Sequence, residues 1–412
     1  MQYIKPQKKT KLNIHLVAFV LLSAFCLMKV YRGFSGEDAE SMGGIWNYIQ
    51  IFFVVWGLFF LLTHANTVML NAPIVSLFFF AMFAFLFAVL NLKSDAQLKR
   101  IFDTFMIPYC VMMTIVFYEV GSRYGVRKNR IFLICYYAAA LLLISAMATF
   151  YNSGANLEDK GATADVYYIL GLLPLVLLYT PKKWTFLPIV ICAMAVAFSG
   201  KRAALLAIVC MLVMYFYSLI SKSNISLLKR IGFLILIIIA FIVLYNMLLY
   251  VDGLYNMNLF ERMESLEVDG GSGRDRLWKR TFASIQQFDA IELFTGKGKG
   301  SVRDSIGIQA HNDFLHVLHE HGLFSVFFYI AYYILSIREG IIMHRNKYPH
   351  AHLFTMSLVC SLFIAMFSFY IIYPTYCTGG MVCSGFFMGD HYRFQQQNHL
   401  DRRKRYVSSY QK

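Results

Sequence analysis

Acidic side chains are scarce in this chain: 23 aspartates and glutamates stand against 38 lysines and arginines in 412 residues, and the four charged types together make up 15%. So little charge, beside 58% hydrophobic and 17% aromatic residues, excludes an ordinary soluble domain, in which about a quarter of residues are charged. Internal repeats, low-complexity tracts and a polar stretch of domain length are also missing. No HExxH occurs, and most of the eight cysteines fall in apolar runs at no metal-ligand spacing, so they read as packing residues. Cys377 and Cys383 sit near the outer face, too little to assign a disulfide. The first apolar run exceeds a signal-peptide core and lacks a small-residue cleavage site, so it is expected to remain as a helix. Its stretch LLSAFC hints at lipidation of Cys26, but bulky Phe25 argues against it.

What is abundant is apolar length. Runs able to cross a hydrocarbon core of ~30 Å as helices of ~20 residues recur along the chain. They fall near 12–30, 45–62, 74–92, 102–120, 131–150, 164–180, 184–199, 203–220, 231–250, 323–337, 353–373 and 375–389. The expected fold is an all-α polytopic membrane protein with about 12 transmembrane helices. The last run, short and glycine-rich, reads either as a weak span or as a re-entrant segment. Basic residues resist translocation, and alternating the spans gathers Lys5, Lys8, Lys9, Lys11, Arg123, Arg127, Lys182, Lys183, Arg338 and Arg345 on one side. Both termini are therefore expected in the cytoplasm. The opposite side receives GEDAE (36–40), NLEDK (156–160) and one long excursion. The expected organisation is a nine-span bundle over 1–250, an outer loop with amphipathic helices over 251–322, C-terminal spans over 323–390 and a basic cytoplasmic tail over 391–412. The net charge of +15 is then mostly topology, and no nucleic-acid partner is needed to explain it.

Three segments on the outer side carry candidate chemistry. In SGRDRLWKRTFASIQQF (272–288), Ser272 with Asp275 forms a capping box. Helical winding puts Leu277, Trp278, Thr281, Phe282, Ile285 and Phe288 on one face, with Arg274 near its middle. Arg276, Lys279 and Arg280 face the other way as a solvated or headgroup-facing surface. An arginine on an apolar stripe needs a carboxylate or an anion, so Arg274 is either a structural ion pair or an anion site. In AFSGKRAALLA (197–207), Lys201 and Arg202 stand where the positive-inside tendency disfavours them, and Arg202 opens a helix. A helix start with two cations makes an anion trap, and the alternative is snorkelling to lipid phosphates.

The third segment, AHNDFLHVLHEHGLF (310–324), holds four histidines. A helix starting near His311 places Phe314, Leu315 and Leu318 on its side, turns Asp313, His316 and Glu320 away, and leaves His319 between. His311 is thus expected toward protein or a cavity, whereas His316 and His321 are expected on a polar surface or terminus. His311 is either a satisfied structural ring or a functional one. His316, His319 and Glu320 have helical spacing for a metal, but the ligand set is poor and no metal is assigned.

These blocks, SGKRAALL (199–206), SGRDRLW (272–278) and HNDFLHVLHEHGL (311–323), resemble in order, spacing and membrane side the bacterial O-antigen ligase and polymerase superfamily of membrane glycosyltransferases. The resemblance implies a C-type membrane glycosyltransferase fold in the bacterial inner membrane, with its active site facing the periplasm. It also implies transfer of a glycan from an undecaprenyl diphosphate carrier to an acceptor hydroxyl, on the lipid A core in ligases or on a carrier-linked glycan in polymerases. No cofactor, nucleotide sugar or essential metal is implied. Carried over by motif position, His311 is the catalytic histidine and Arg202 and Arg274 hold the diphosphate, with Lys201 secondary to them. Glu320 is a secondary candidate for orienting the acceptor or a ring. A ligase-like reading is preferred to a polymerase. From another class, a lipid-linked sugar flippase is the rival, although transporters usually place their ionisable groups near the midplane.

Overall fold

The structure is a computed structural model, which describes residues 17–23, 43–68, 71–92, 103–126, 130–152, 165–220, 226–255, 273–368, 371 and 374–410. Among these residues there is no strand. Residues 17–23 are helical and are the described part of the first expected span. The elements that follow are α1 (Gly43–Val68), α2 (Ala72–Leu90), α3 (Met106–Tyr124), α4 (Arg130–Asn152), α5 (Val166–Tyr179), α6 (Phe186–Ser199), α7 (Arg202–Ile220) and α8 (Leu227–Tyr255). After them come α9 (Arg274–Ile285), α10 (Ala290–Thr295), α11 (Ser301–Ile306), α12 (Asp313–Arg345), α13 (Ala351–Phe367) and α14 (Pro374–Tyr410). Four described helical stretches are long and apolar enough to cross a membrane: Ala72–Leu90, Arg130–Thr149, Lys182–Ser199 and Asp313–Arg345. Shorter apolar helices include Val166–Tyr179, Arg202–Ser218 and Ala351–Phe367. Leu62, Ile238, Ile242, Phe327 and Ile334 are each more than half exposed, as side chains facing lipid would be. The chain is an all-α membrane protein.

Two pairings position the candidate site. In the first, α2 begins where the Asn71 side chain accepts the Ile74 N–H at 3.2 Å, with Pro73 in its first turn, and it packs along α12. Phe80 stacks on Tyr329 at 4.8 Å, and Phe83 stacks on Phe324 and Phe328 at 5.7 and 5.5 Å. Each such ring pair contributes roughly 0.5–1.5 kcal/mol beyond its buried area.

In the second, α14 lies between α3 and α5. Residues 377–391 of this helix are all buried, and the helix continues unbroken past residue 390 into the basic segment. Its glycines explain the fit. Gly385 and Gly389 lie against the Thr114 and Tyr118 carbonyls, and Gly379 lies against Tyr168, leaving no room for a Cβ. Close backbone approach through small residues is how apolar helices associate where lipid offers no hydrophobic drive. The segment open to reading as re-entrant is therefore part of one continuous helix. Cys377 and Cys383 within it are buried free thiols.

Candidate active site

The helix carrying the histidines starts after His311, and the difference takes that ring out of the helix. Asn312 is its N-cap, accepting the Leu315 N–H at 3.1 Å, and Asp313 is its first residue. His311 thus stands outside the helix in a left-handed backbone conformation, φ 51°. Winding at 100° per residue does not apply to it.

Asp313, His316 and Glu320, expected to face away from the protein, are fully buried, as are His319 and His321. The expectation of a polar surface for His316 and His321 is corrected for a physical reason: the turn at 296–300 folds back onto that face. A break at Gly322, φ 73°, frees the carbonyls of His319 and Glu320, and the Lys297 and Gly298 N–H groups donate to them at 2.9 and 3.0 Å. Contact is so close at the break that a Cβ on Gly322 would collide with the Phe294 carbonyl, and one on Gly296 with Glu320.

Inside this fold-back the Glu320 carboxylate is enclosed by donors. Oε1 accepts the Gly300 N–H at 2.8 Å and lies 3.0 Å from His316 Nε2, while Oε2 lies 3.3 Å from Lys299 Nζ. His321 Nε2 is 3.8 Å from the same Oε2. His319 is held separately, with Nε2 3.1 Å from Ser284 Oγ and Nδ1 3.0 Å from Ser301 Oγ. Asp313 accepts from the Tyr329 hydroxyl at 3.0 Å and from the Ile371 N–H at 2.8 Å, which ties the α13–α14 connection to the start of α12.

Across from this network, α9 presents the face expected of it. Thr281 and Ile285 are buried, Arg274, Leu277, Trp278 and Phe288 are half-buried, and Arg276, Lys279 and Arg280 are exposed. Phe282 departs from the expectation and is 52% exposed. The helix starts after Gly273, and the expected cap Ser272 lies outside the described residues. Trp278 packs on Phe367, 6.3 Å between ring centres, so α9 sits over the end of α13. Arg274 is within electrostatic reach of both His311 and Tyr167.

A turn from the bundle completes the site. Chain reversal after Ser199 uses Gly200 at φ 60°, a conformation open to glycine, and the Lys201 N–H donates to Ser199 Oγ at 3.2 Å. Lys201 and Arg202 are half-buried, with Arg202 the first residue of α7. The Lys201 charge also reaches His311.

His311 therefore sits where segments distant in sequence converge. Burial, then the charges of Arg274, Lys201 and His316, lower its pKa from 6.5 to about 4. A neutral imidazole beside fixed cations accepts a proton from a neutral donor and tolerates an anion next to it. Among the described residues, no group of three histidine, cysteine, aspartate or glutamate side chains is placed to hold a metal ion. Lys299, Gly300, Ser284 and Ser301 were not singled out from sequence. The run GKGKG (296–300), three glycines alternating with two lysines, is the signal the sequence offers.

Compared with models of known protein families the chain matches none, and no curated protein matches it.

Proposed function

We propose that this chain is a metal-independent membrane glycosyltransferase of the O-antigen ligase type, transferring a glycan from undecaprenyl diphosphate to an acceptor hydroxyl at the periplasmic face of the bacterial inner membrane. The observation that carries the reading is the convergence of His311 with Arg274 and Lys201, contributed by three separate segments. The twelve-span topology and the outer placement of residues 251–322 belong to the same proposal. A carrier-linked glycan is the donor and a lipid A core or carrier-linked glycan is the acceptor; the latter case makes the enzyme a polymerase.

The chemistry follows from the groups present. His311 takes the acceptor's hydroxyl proton as the oxygen attacks the anomeric carbon. The bond from that carbon to the diphosphate oxygen breaks, its electron pair leaves with the diphosphate, and one-step attack from the opposite face inverts the centre. Arg274, Arg202 and Lys201 stabilise the charge growing on the leaving oxygens, and arginine does so with paired hydrogen bonds. Donor binding also supplies what His311 lacks alone. Burial is the largest cause of the depression, and the arriving negative charge offsets the part that Arg274 and Lys201 add to it, so the basicity of the imidazole rises when the substrate is in place.

The test incubates purified protein with a carrier-linked glycan and a core-oligosaccharide acceptor in the presence of a chelator, with products weighed by mass spectrometry. A new glycosidic bond and free undecaprenyl diphosphate support the reading. Carrier movement across vesicles without bond formation supports the flippase.

A further inference from the structure

A cavity of about 240 Å³ lies between the start of α2, α3, α12 and α14, at the end of the bundle away from His311. Asn71, the cap of α2, lines it, whereas Asn91 at the other end of α2 donates to the Gly296 carbonyl beside the histidine cluster at 3.2 Å. Two opposite charges, Arg338 and Glu339, line the cavity from consecutive positions of α12. Consecutive helical side chains do not face each other, so the two do not neutralise one another. Glu339 is fixed from behind. The Asn346 and Gln395 amide nitrogens face Nε2 of the buried His391 at 3.4 and 3.2 Å, so Nδ1 carries the proton and donates it to Glu339 Oε1 at 2.8 Å. A neutral ring positions the carboxylate without cancelling its charge. Arg338 is exposed, and no carboxylate among the described residues pairs with it.

A ligand that answers both charges carries an anion and a cation a few atoms apart. Depth narrows its source. Arg338 stands roughly 24 Å along α12 from the Gly322 break, at ~1.5 Å per residue. Ile334 and Ile341, one turn to either side of it, are exposed as lipid-facing side chains are, and the helix then ends in exposed His344 and Arg345. Arg338 thus marks the level where apolar surface gives way to basic, which is headgroup depth. The volume is below the ~300–1,000 Å³ of sites for drug-sized ligands, and suits a headgroup better than a nucleotide. We propose that this cavity seats the headgroup of an aminophospholipid, with the phosphodiester on Arg338 and the primary ammonium on Glu339. Both contacts are charge-assisted hydrogen bonds, and the ammonium needs N–H groups to make its own.

The test is independent of the reading of His311 and needs no turnover. Delipidated full-length protein in detergent is titrated with phosphatidylethanolamine and with phosphatidylcholine of the same acyl chains, and bound lipid is counted by native mass spectrometry. Phosphatidylethanolamine is expected to bind at least fivefold more tightly than phosphatidylcholine, whose quaternary ammonium has no N–H. Arg338→Gln and Glu339→Gln are expected to weaken phosphatidylethanolamine at least fivefold, and Arg345→Gln, on the same helix end but outside the cavity, to leave it unchanged. Glutamine at 339 keeps an oxygen for His391, and position 338 is exposed, so both variants should melt as wild type does; if Glu339→Gln does not fold, Arg338→Gln and the phosphatidylcholine comparison decide. Equal affinity for the two lipids, or equal loss in Arg345→Gln, would make Arg338 a snorkelling cation and overturn the proposal. Displacement of the lipid by millimolar glycerophosphoethanolamine, the same headgroup without acyl chains, would overturn the lipid source and assign the cavity to a soluble phosphodiester.

Discussion

The Nε2 atom of His316 lies 3.0 Å from Oε1 of Glu320, one helical turn away, and both side chains are shut off from solvent. Removing the carboxylate leaves Lys299 and the Gly300 N–H buried beside two further imidazoles. Glu320→Ala should therefore destabilise the protein by about 3–5 kcal/mol, the usual cost of orphaning one partner of a buried pair. Glu320→Gln should cost less, because an acceptor oxygen remains. Thermal melting in detergent checks both, and equal melting of Glu320→Ala and wild type would remove the network from the account.

The break at Gly322 makes a separate prediction about backbone. At φ 73°, with the Phe294 carbonyl against its Cα, alanine there is both strained and in collision, and Gly296, pressed on Glu320, is in the same position. Gly322→Ala and Gly296→Ala should each unseat the glycine-rich turn and lower folded yield severalfold. Gly232 in α8 has nothing within 4 Å, so Gly232→Ala should express and melt like wild type or slightly better. Fluorescence-detected size exclusion separates these outcomes.

Arg274 and Arg276 differ in little but direction on one helix, the first half-buried and the second exposed. Arg274→Lys keeps the charge but not the planar fork that clamps phosphate oxygens, so most turnover should be lost. Arg202→Ala should behave likewise. Arg276→Lys should be nearly silent. Initial rates on carrier-linked donor decide, and a normal rate in folded Arg274→Lys would reduce Arg274 to a structural residue.

How much of this was legible beforehand depended on whether neighbours in sequence or in space decide the answer. The inward face of α9 followed from its own periodicity, and Arg274, Thr281 and Ile285 lie where winding puts them. The His316 face did not, because that pattern cannot reveal a distant turn, here Lys297–Gly300, folding back to cover it. His311 was misphased for a local reason: Asn312 takes the cap, so the residue before it leaves the helix. Hydropathy undervalued 375–389 because glycine contributes little apolar surface, although small size is what lets Gly385 and Gly389 meet α3.

The lowered pKa of His311 fixes the sign of a pH effect. Its folded value, about 4, lies below the unfolded 6.5. The group's contribution to stability is thus present above pH 6.5 and lost as pH falls toward 4. In the free enzyme the imidazole stays neutral well below pH 6. The acid limb of kcat/KM, which reports the free enzyme, should fall near pH 4, and the limb of kcat should lie higher because bound diphosphate restores basicity. A kcat/KM limb at 6.5 would mean that the surrounding cations do not reach the ring.

His311 as the proton acceptor is the central claim, and single-turnover transfer by His311→Asn tests it most directly. Asparagine tolerates the left-handed backbone at this position, so the variant should fold and bind donor as wild type does. The account predicts that rapid mixing of enzyme-bound carrier-linked glycan with acceptor shows bond formation slowed by ~10²–10⁴ in the variant, with donor affinity unchanged. Bond formation at the wild-type rate in a folded His311→Asn protein would contradict it.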